Sequence, residues 1–193
     1  MSKAAFNIMI VGIGGQGVMT LGRFFREIAV NSEQIHGLIS MESRGVSQRE
    51  GSVYALIRYS LDPDQTSKSL TPTPPIQGID LMIALEPLEF LRNLHYLNPV
   101  GTALVNSHTI IPKNTLISNE DKYPDIDTRI NTLREQYPQL HLECKNFTQK
   151  AFQLKKPAFY ANYLMITQLQ TILEKFVRPT KFSELLQDFF NHV

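Results

Sequence analysis

Short apolar runs rich in β-branched residues recur along the chain and alternate with stretches of helical period. Runs of this length and composition are typical of buried strands, so we predict six of them. The predicted strands are residues 6–11, 35–41, 53–59, 81–85, 102–105 and 140–144. Apolar residues three and four apart predict helices between several of these strands. The predicted helices are residues 18–30, 87–96 and 126–136.

This alternation predicts a three-layer α/β/α fold with a Rossmann-like, doubly wound and mostly parallel sheet. The polar join between the second and third strands has no helical stretch, so we expect antiparallel pairing there and a mixed sheet. Residues 61–78 carry four prolines and are expected to run over the surface. Residues 147–193 form a helical C-terminal part with a break near Arg178 and Pro179.

Length and charge restrict the function. A chain of 193 residues is predicted to form one domain, residues 1–193. The formal net charge is +1 and the charges are interspersed, so nucleic-acid and membrane-surface binding are not expected. Cys144 is the one cysteine, which excludes an internal disulfide or an iron–sulfur cluster held by this chain alone. The N-terminal residues show no signal-peptide pattern, so we expect a cytoplasmic location.

A glycine-rich run lies between the first predicted strand and the first predicted helix. Its residues are Gly12, Ile13, Gly14, Gly15, Gln16 and Gly17. Glycines after a strand allow a close approach by a partner, while the first amides of the next helix have no intrahelical acceptor. We therefore predict that this loop contacts a ligand or another subunit. The Gln16 amide is expected to present a donor and an acceptor at the loop's tip.

Several interpretations of this glycine loop are open from its residues. A P-loop is excluded, because Val18 and Met19 stand where phosphate and magnesium binding need Lys and Ser or Thr. The glycines also match a Rossmann dinucleotide loop, with Glu42 as the acid that would bind a ribose. The alternative function is therefore a nucleotide-binding enzyme that uses NAD(P) or ATP. The adenylating fold of ubiquitin-activating-type enzymes uses a similar loop, and a plain tight turn is the structural alternative.

A second loop, dense in charged and amide side chains, follows the second predicted strand over residues 41–53. Loops at the carboxyl ends of strands line the binding crevice of such sheets. A solvated connection is the plain alternative. The candidate binding residues of the two loops are Gly12, Gly14, Gly15, Gln16, Gly17, Arg44, Gly45, Gln48, Arg49, Gly51 and Ser52.

Taken together, the two loops resemble the gamma domain of 2-oxoacid:ferredoxin oxidoreductases, and within that family the indolepyruvate type. The family shows a Gly-x-Gly-Gly-Gln-Gly loop and then a Ser/His-x-Gly-Met-Ser/Ala-Gln-Arg-Gly-Gly-Ser-Val block. The residues that match the second block by position are Gly45, Ser47, Gln48, Arg49, Gly51, Ser52 and Val53. Val46 replaces the methionine and Glu50 the first glycine of the pair. Asn162 lies where the family has an asparagine-started apolar helix.

The resemblance implies a complex that converts a 2-oxoacid and coenzyme A to acyl-CoA and carbon dioxide, with electrons passed to ferredoxin. It implies that partner subunits carry thiamine diphosphate, magnesium and iron–sulfur clusters. This chain has no GDG-type thiamine-diphosphate motif and only one cysteine, so we expect it to hold none of these cofactors and to provide no catalytic residue. It is expected to be inactive alone, and self-association of the isolated chain into a homo-oligomer stays open.

Two roles for the loops remain open under this resemblance. The glycine-loop amides, with Arg44 and Arg49, are suited to bind an anion such as a coenzyme A phosphate. The same residues are equally suited to a subunit interface, where arginine and glutamine side chains are buried against a partner.

Other polar residues have ordinary interpretations. The five histidines show no metal-ligand spacing, so no metal site is expected. Glu86 and Glu89 are expected to stabilise the start of a helix. The C-terminal aromatic residues are more numerous than a core of this length requires, and an interface would use the remainder.

Overall fold

A computed structural model describes residues 4–44, 51–64, 71–111 and 123–191 of the chain. Six strands form one sheet in the order β2-β3-β1-β4-β5-β6. Their bounds are β1 Ala5–Ile13, β2 Gly37–Arg44, β3 Ser52–Ser60, β4 Ile79–Ala84, β5 Leu97–Asn106 and β6 His141–Lys145. Each predicted strand overlaps an observed one, although the bounds differ at every strand.

The direction of β3 makes the sheet mixed. This strand pairs antiparallel with both β1 and β2, while β1, β4, β5 and β6 pair parallel to one another in sequence across the sheet. Two antiparallel steps restore direction, so β3 alone runs opposite to the other five strands. The predicted mixed, mostly parallel sheet is therefore confirmed, and the polar join is the connection that reverses the chain.

Seven α-helices are found in the described residues. Their bounds are α1 Val18–Val30, α2 Pro87–Asn93, α3 Ile126–Gln136, α4 Phe147–Gln153, α5 Tyr160–Gln168, α6 Gln170–Leu173 and α7 Pro179–Asn191. The helices predicted at 18–30 and 126–136 have these bounds. The helix predicted at 87–96 ends at Asn93 and continues as a 3₁₀ turn, Leu94–Tyr96. The C-terminal break is confirmed, because α7 begins at Pro179, a favoured first helical residue.

β2 and β5 depart most from the predicted bounds, because their backbone pairing extends beyond the apolar run. β2 runs on to Arg44, which pairs with Val53 of β3, so the polar residues after Met41 remain in the ladder. β5 begins at Leu97, which pairs with Ile79 before the register shifts. Sheet pairing, rather than hydrophobic pattern, decides where these strands end.

Apolar side chains cover both faces of the sheet. One cluster packs α1 and the C-terminal helices against alternate residues of β1, β3 and β4, and it includes Phe24, Tyr59 and Phe182. The other cluster lies under α2 and α3 and includes Met82 and Phe90. The three-layer α/β/α architecture is therefore confirmed.

The proline-rich segment is held to the sheet where it returns. The buried Arg58 donates from Nε to Oδ1 of Asn7 at 2.9 Å and from a terminal nitrogen to Oγ1 of Thr71 at 2.9 Å. Asn7 in turn donates to the carbonyl oxygen of Gly78 at 2.8 Å. Burial lowers the pKa of the Arg58 guanidinium. The second half of the segment thus lies on the surface but is anchored at both ends.

Phe24→Ala should destabilise the fold strongly. Phe24 is fully buried and contacts the rings of Phe25, Phe182 and Phe189, so its truncation leaves a cavity and should lower the free energy of unfolding by about 3–5 kcal/mol. Phe152→Ala is the matched control, because Phe152 is 56% exposed and the change should cost less than about 0.5 kcal/mol. Urea unfolding of both variants measures the difference, and equal losses would contradict the assigned core.

Candidate functional site

Five strands end and one begins along a single edge of the sheet. The terminal residues at this edge are Ile13, Arg44, Ser52, Ala84, Asn106 and Lys145. We call this edge, with the loops that leave it, the carboxyl rim. The amide of Gly14 donates to the carbonyl oxygen of Gly51 at 3.0 Å. The two loops that carry the sequence signal therefore meet, as predicted, on one rim.

Part of the second loop lies outside the described residues. Of its candidate binding residues, Gly45, Gln48 and Arg49 belong to that part. Arg44 is described through its backbone, which pairs with Val53. The remaining candidates of this loop, Gly51 and Ser52, can be placed in the site.

The Gln16 side chain turns back into its own loop. Its Oε1 accepts a hydrogen bond from the amide of Ile13 at 2.7 Å, and its Nε2 donates to the carbonyl oxygen of Leu85 at 3.1 Å. Both polar groups are thus engaged, contrary to the expectation of a free amide at the loop's tip. The side chain joins the end of β1 to the end of β4 and fixes the shape of the loop.

Asn162 covers the N-terminus of α1. This buried residue of α5 donates from Nδ2 to the carbonyl oxygen of Gln16 at 2.9 Å. A Cβ at Gly17 would lie 2.6 Å from Asn162 Nδ2, and Gly17 has a left-handed φ of 95°. Glycine is therefore required at position 17 for packing and for backbone conformation. The sequence led us to expect a ligand or another subunit close to this backbone. At Gly17 the close approach is made by Asn162 of the same chain.

Two other glycines of this loop, Gly12 and Gly15, differ in the space around them. At Gly12, a Cβ would meet Oε1 of Gln16 at 2.9 Å and Cβ of Leu85 at 3.2 Å. At Gly15, which is exposed and has φ 93°, a Cβ would meet no heavy atom within 4 Å. Gly15 is thus the point at which the loop is open to a partner.

Two buried carboxylates connect β3 to the turn after β4. Glu89 accepts hydrogen bonds from Ser52 Oγ and from the guanidinium of Arg92, and its backbone amide donates to Oε2 of Glu86 at 3.0 Å. The other oxygen of Glu86 accepts from the Tyr123 hydroxyl. Glu86 is the N-cap of α2, so the predicted capping role is confirmed for it. The sequence did not predict the hydrogen bond between Ser52 and Glu89, because an acidic residue in the first turn of a helix is already explained by its effect on the helix N-terminus.

Burial governs the ionisation of Glu86 and Tyr123. It raises the pKa of the Glu86 carboxyl, and the hydrogen bonds from Tyr123 and from the Glu89 amide partly offset that rise. Burial and the adjacent Glu86 raise the pKa of the Tyr123 phenol. These polar groups thus bind one another and hold the start of β3, the start of α2 and Tyr123 together.

Glu42 is not placed beside the glycine loop. Its Oε1 pairs with Arg26 of α1 at 2.7 Å, and β3 lies between its strand and β1. With about 5 Å between neighbouring strands, β2 is about 10 Å from the strand that carries the glycine loop. In a Rossmann dinucleotide site the ribose-binding strand is adjacent to the first strand, so this geometry does not favour the nucleotide alternative.

Asn106 ties the far side of the rim together. Its Nδ2 donates to Thr148 Oγ1 at 2.9 Å, and its Oδ1 accepts from the amide of Phe147 at 3.0 Å. The position of Asn106 at the end of a predicted strand is visible in the sequence. Its hydrogen-bond partners are not, because they lie about 40 positions away in the chain. Asn106 therefore positions the start of α4.

The described residues show neither a cluster of metal ligands nor a membrane-spanning helix. They contain no group of three or more His, Cys, Asp or Glu side chains arranged to hold a metal ion. Within the same residues, every helix is too short or too polar to cross a lipid bilayer.

Known proteins are similar to this chain, some in sequence and some in fold. Indolepyruvate oxidoreductase subunit IorB of Archaeoglobus fulgidus is 34% identical over 134 residues, which are 69% of this chain and 62% of that protein. The match thus spans about three fifths of the relative's length.

Solved structures with the same fold include a gamma subunit of keto/oxoacid ferredoxin oxidoreductase from Geobacter sulfurreducens, with a TM-score of 0.54, 18% identity and 98% and 94% of the two chains covered. A second is 2-oxoglutarate:ferredoxin oxidoreductase from Magnetococcus marinus with 2-oxoglutarate, coenzyme A and succinyl-CoA bound. It has a TM-score of 0.63 and 15% identity, and the match covers 99% of this chain and 28% of that one.

The family model described as pyruvate ferredoxin/flavodoxin oxidoreductase matches residues 7–192. This match confirms the resemblance seen in the two loops, and the chain belongs to that family.

Proposed function

We propose that this chain is the gamma-type subunit of a 2-oxoacid:ferredoxin oxidoreductase of the indolepyruvate type. In that role it supports the coenzyme A-dependent oxidative decarboxylation of an aryl pyruvate, with electrons passed to ferredoxin. The similarity to a subunit named for indolepyruvate supports the substrate class.

One observation carries the proposal: the Gly14–Gly51 hydrogen bond brings the two family loops together on the carboxyl rim. Loops at this edge are where folds of this class bind their ligands and partners. The Gln16 and Ser52 side chains of these loops both form hydrogen bonds within this chain, which supports a positioning role for them. The rim is therefore a contact surface.

The chemistry of the reaction is assigned to partner subunits. Thiamine diphosphate with magnesium supplies the electron sink for decarboxylation, and iron–sulfur clusters carry the electrons to ferredoxin. Clusters of that kind are held by several cysteines, whereas this sequence has one, Cys144, half-buried in β6. The chain's own contribution is to dock against the subunit that holds these groups.

Docking is favoured over anion binding for the glycine loop. Asn162 already packs on Gly17 and donates to the carbonyl oxygen of Gln16, beside the first amides of α1 that a phosphate would use. Gly15 remains open and exposed, so a partner's surface can approach the backbone there. Docking is thus the main role proposed for the loops. A second role, contact with a coenzyme A phosphate, is proposed for Arg44 and Arg49 of the second loop.

Affinity capture of the tagged full-length chain from its native cells tests the assembly. The chain should co-purify with a subunit that contains thiamine diphosphate and iron–sulfur clusters, detected by cofactor analysis and visible absorbance. The complex should reduce ferredoxin with indolepyruvate and coenzyme A. Recovery of the chain without such a subunit would overturn the proposal.

Titration of the isolated chain separates the proposal from the nucleotide alternative. Calorimetry with NAD, NADP, ATP and coenzyme A should show no tight binding of either dinucleotide or of ATP, because Glu42 is paired with Arg26 and lies away from the glycine loop. Tight dinucleotide binding by the chain alone would favour the alternative enzyme.

Arg49→Ala should reduce the activity of the assembled enzyme more than it reduces the stability of the chain. An arginine in a loop contributes little to the free energy of unfolding. An arginine that contacts a partner or a phosphate commonly contributes more than about 1 kcal/mol to the free energy of binding. Arg134→Ala is the control, because Arg134 is exposed in the last turn of α3 and belongs to neither loop. Turnover and thermal unfolding are measured together, and a parallel fall in both for Arg49→Ala would contradict the assignment.

Gly17→Ala and Gly15→Ala should differ although both residues have a left-handed φ, 95° and 93°. Each alanine costs about 1–2 kcal/mol for that conformation, but only the alanine at position 17 also meets Asn162. Urea unfolding should therefore show the larger loss for Gly17→Ala, while Gly15→Ala should chiefly weaken capture of the partner subunit. Equal stability losses would contradict the assigned contact with Asn162.

A further inference from the structure

The turn between α4 and α5, residues 152–159, is unusual because all of its residues are exposed. Three of them are large and apolar: Phe152 is 56% exposed, Leu154 51% and Phe159 47%. A concentration of exposed apolar side chains on one short segment marks an interaction site more often than a plain surface. We call residues 152–159 the exposed turn.

The exposed turn has a fixed backbone. The amide of Lys156 donates to the carbonyl oxygen of Ala151 at 3.0 Å, and that of Lys155 to the carbonyl oxygen of Phe152 at 2.9 Å. This pair of bonds is the Schellman arrangement that ends a helix. At the other end, the Tyr160 amide donates to the carbonyl oxygen of Pro157 at 3.0 Å. The apolar side chains are therefore held out in solvent by a structured turn and do not belong to a random loop.

Lys155 occupies a position that favours glycine. Its φ is 56°, and within the described residues the other non-glycine with positive φ is Gln77. The residue after a helix in a Schellman arrangement is usually glycine, because a side chain destabilises the left-handed conformation. The left-handed lysine therefore costs stability at this position, where a glycine would not.

The charge of the exposed turn has one sign. Lys150, Lys155 and Lys156 lie on or beside it, and residues 145–162 contain no acidic residue. Within the described part of the chain, none of these three lysines has a carboxylate partner, whereas the nearby Lys145 pairs with Glu143 at 2.6 Å. Lys156 lies over the ring of Tyr160 at 5.5 Å, which holds its charge close to the surface.

The exposed turn is continuous with the carboxyl rim. It leads directly into α5, where Asn162 donates to the Gln16 carbonyl oxygen and packs on Gly17. A partner that covers the open Gly15 would therefore also approach the turn. A homodimer formed turn against turn across a two-fold axis is disfavoured, because that arrangement would bring the turn's lysines close to the same lysines of the second copy.

We infer that the exposed turn docks into an apolar pocket edged with acidic residues on the neighbouring subunit, with Phe152, Leu154 and Phe159 as the buried anchors and the lysines at the acidic edge. This inference rests on the proposed function, because the neighbouring subunit is the one that carries thiamine diphosphate and the clusters. Aromatic anchors with a charged rim are the usual composition of such interfaces.

Affinity capture of the full-length tagged chain tests the inference, with the amount of cofactor-bearing subunit retained as the readout. K155E/K156E should lose about tenfold or more of that subunit, with an unchanged Tm, because two attractive charges become repulsive. K181E is the control, since Lys181 lies on α7 and pairs with Glu184. Retention by the wild type should fall as salt rises, and retention by K155Q/K156Q should depend less on salt.

Lys155→Gly separates docking from folding. The change relieves the left-handed backbone, so Tm should rise by about 2 °C while retention of the partner falls. A structural role for Lys155 would instead lower Tm. A fall in retention confined to variants with a lower Tm would overturn the inference.

The remaining outcomes are distinct from one another. Equal retention by the wild type and K155E/K156E would overturn docking by the turn and leave the proposed function standing. A wild-type chain that captures no cofactor-bearing subunit would overturn both. If sedimentation of the isolated chain shows a dimer that K155E/K156E dissociates, the turn serves self-association and the inference is wrong.

Discussion

The Gln16 side chain holds the rim together. It connects the amide of Ile13 to the carbonyl oxygen of Leu85, and its backbone carbonyl receives the side chain of Asn162. The ends of β1 and β4 and the start of α5 are thereby fixed relative to one another. The packing at Gly12 and Gly17 follows, because both glycines admit the atoms of this network at distances that a Cβ would not allow.

The reversed strand β3 determines what lies next to that network. Because β3 separates β1 from β2, the second loop reaches the rim as the connection of an antiparallel pair and not as the entry to a helix. Its last residues, Gly51 and Ser52, then contact the glycine loop and Glu89. The same order of strands keeps Glu42 on the α1 side, where its carboxylate pairs with Arg26.

The hydrophobic pattern was sufficient for most of the fold. Strand and helix periods at residues 18–30 and 126–136 are uninterrupted, so these helices have the predicted bounds. Strand ends such as Leu97 were missed, because Pro99 and Gly101 interrupt the pattern while the backbone pairing continues. The site was less predictable. Its hydrogen bonds join residues as far apart as Gln16 and Asn162, and a local pattern contains no information on such pairs.

The same distance in sequence explains why the glycine loop, taken alone, suggests a ligand site. Four glycines and a glutamine are equally suited to a phosphate, to a partner's backbone and to a neighbouring helix of the same chain. Only the folded position of Asn162, 2.6 Å from a Cβ at Gly17, shows that the last of these accounts for Gly17.

A rim whose internal hydrogen bonds are already made has a consequence for how the subunit associates. Ordering a flexible loop at an interface costs conformational entropy, and that cost reduces affinity. Here the glycine loop has its final shape in the free chain, because Gln16, Gly51 and Asn162 determine it. Association can therefore proceed as the meeting of two nearly rigid surfaces, with side-chain adjustment and little change in the backbone.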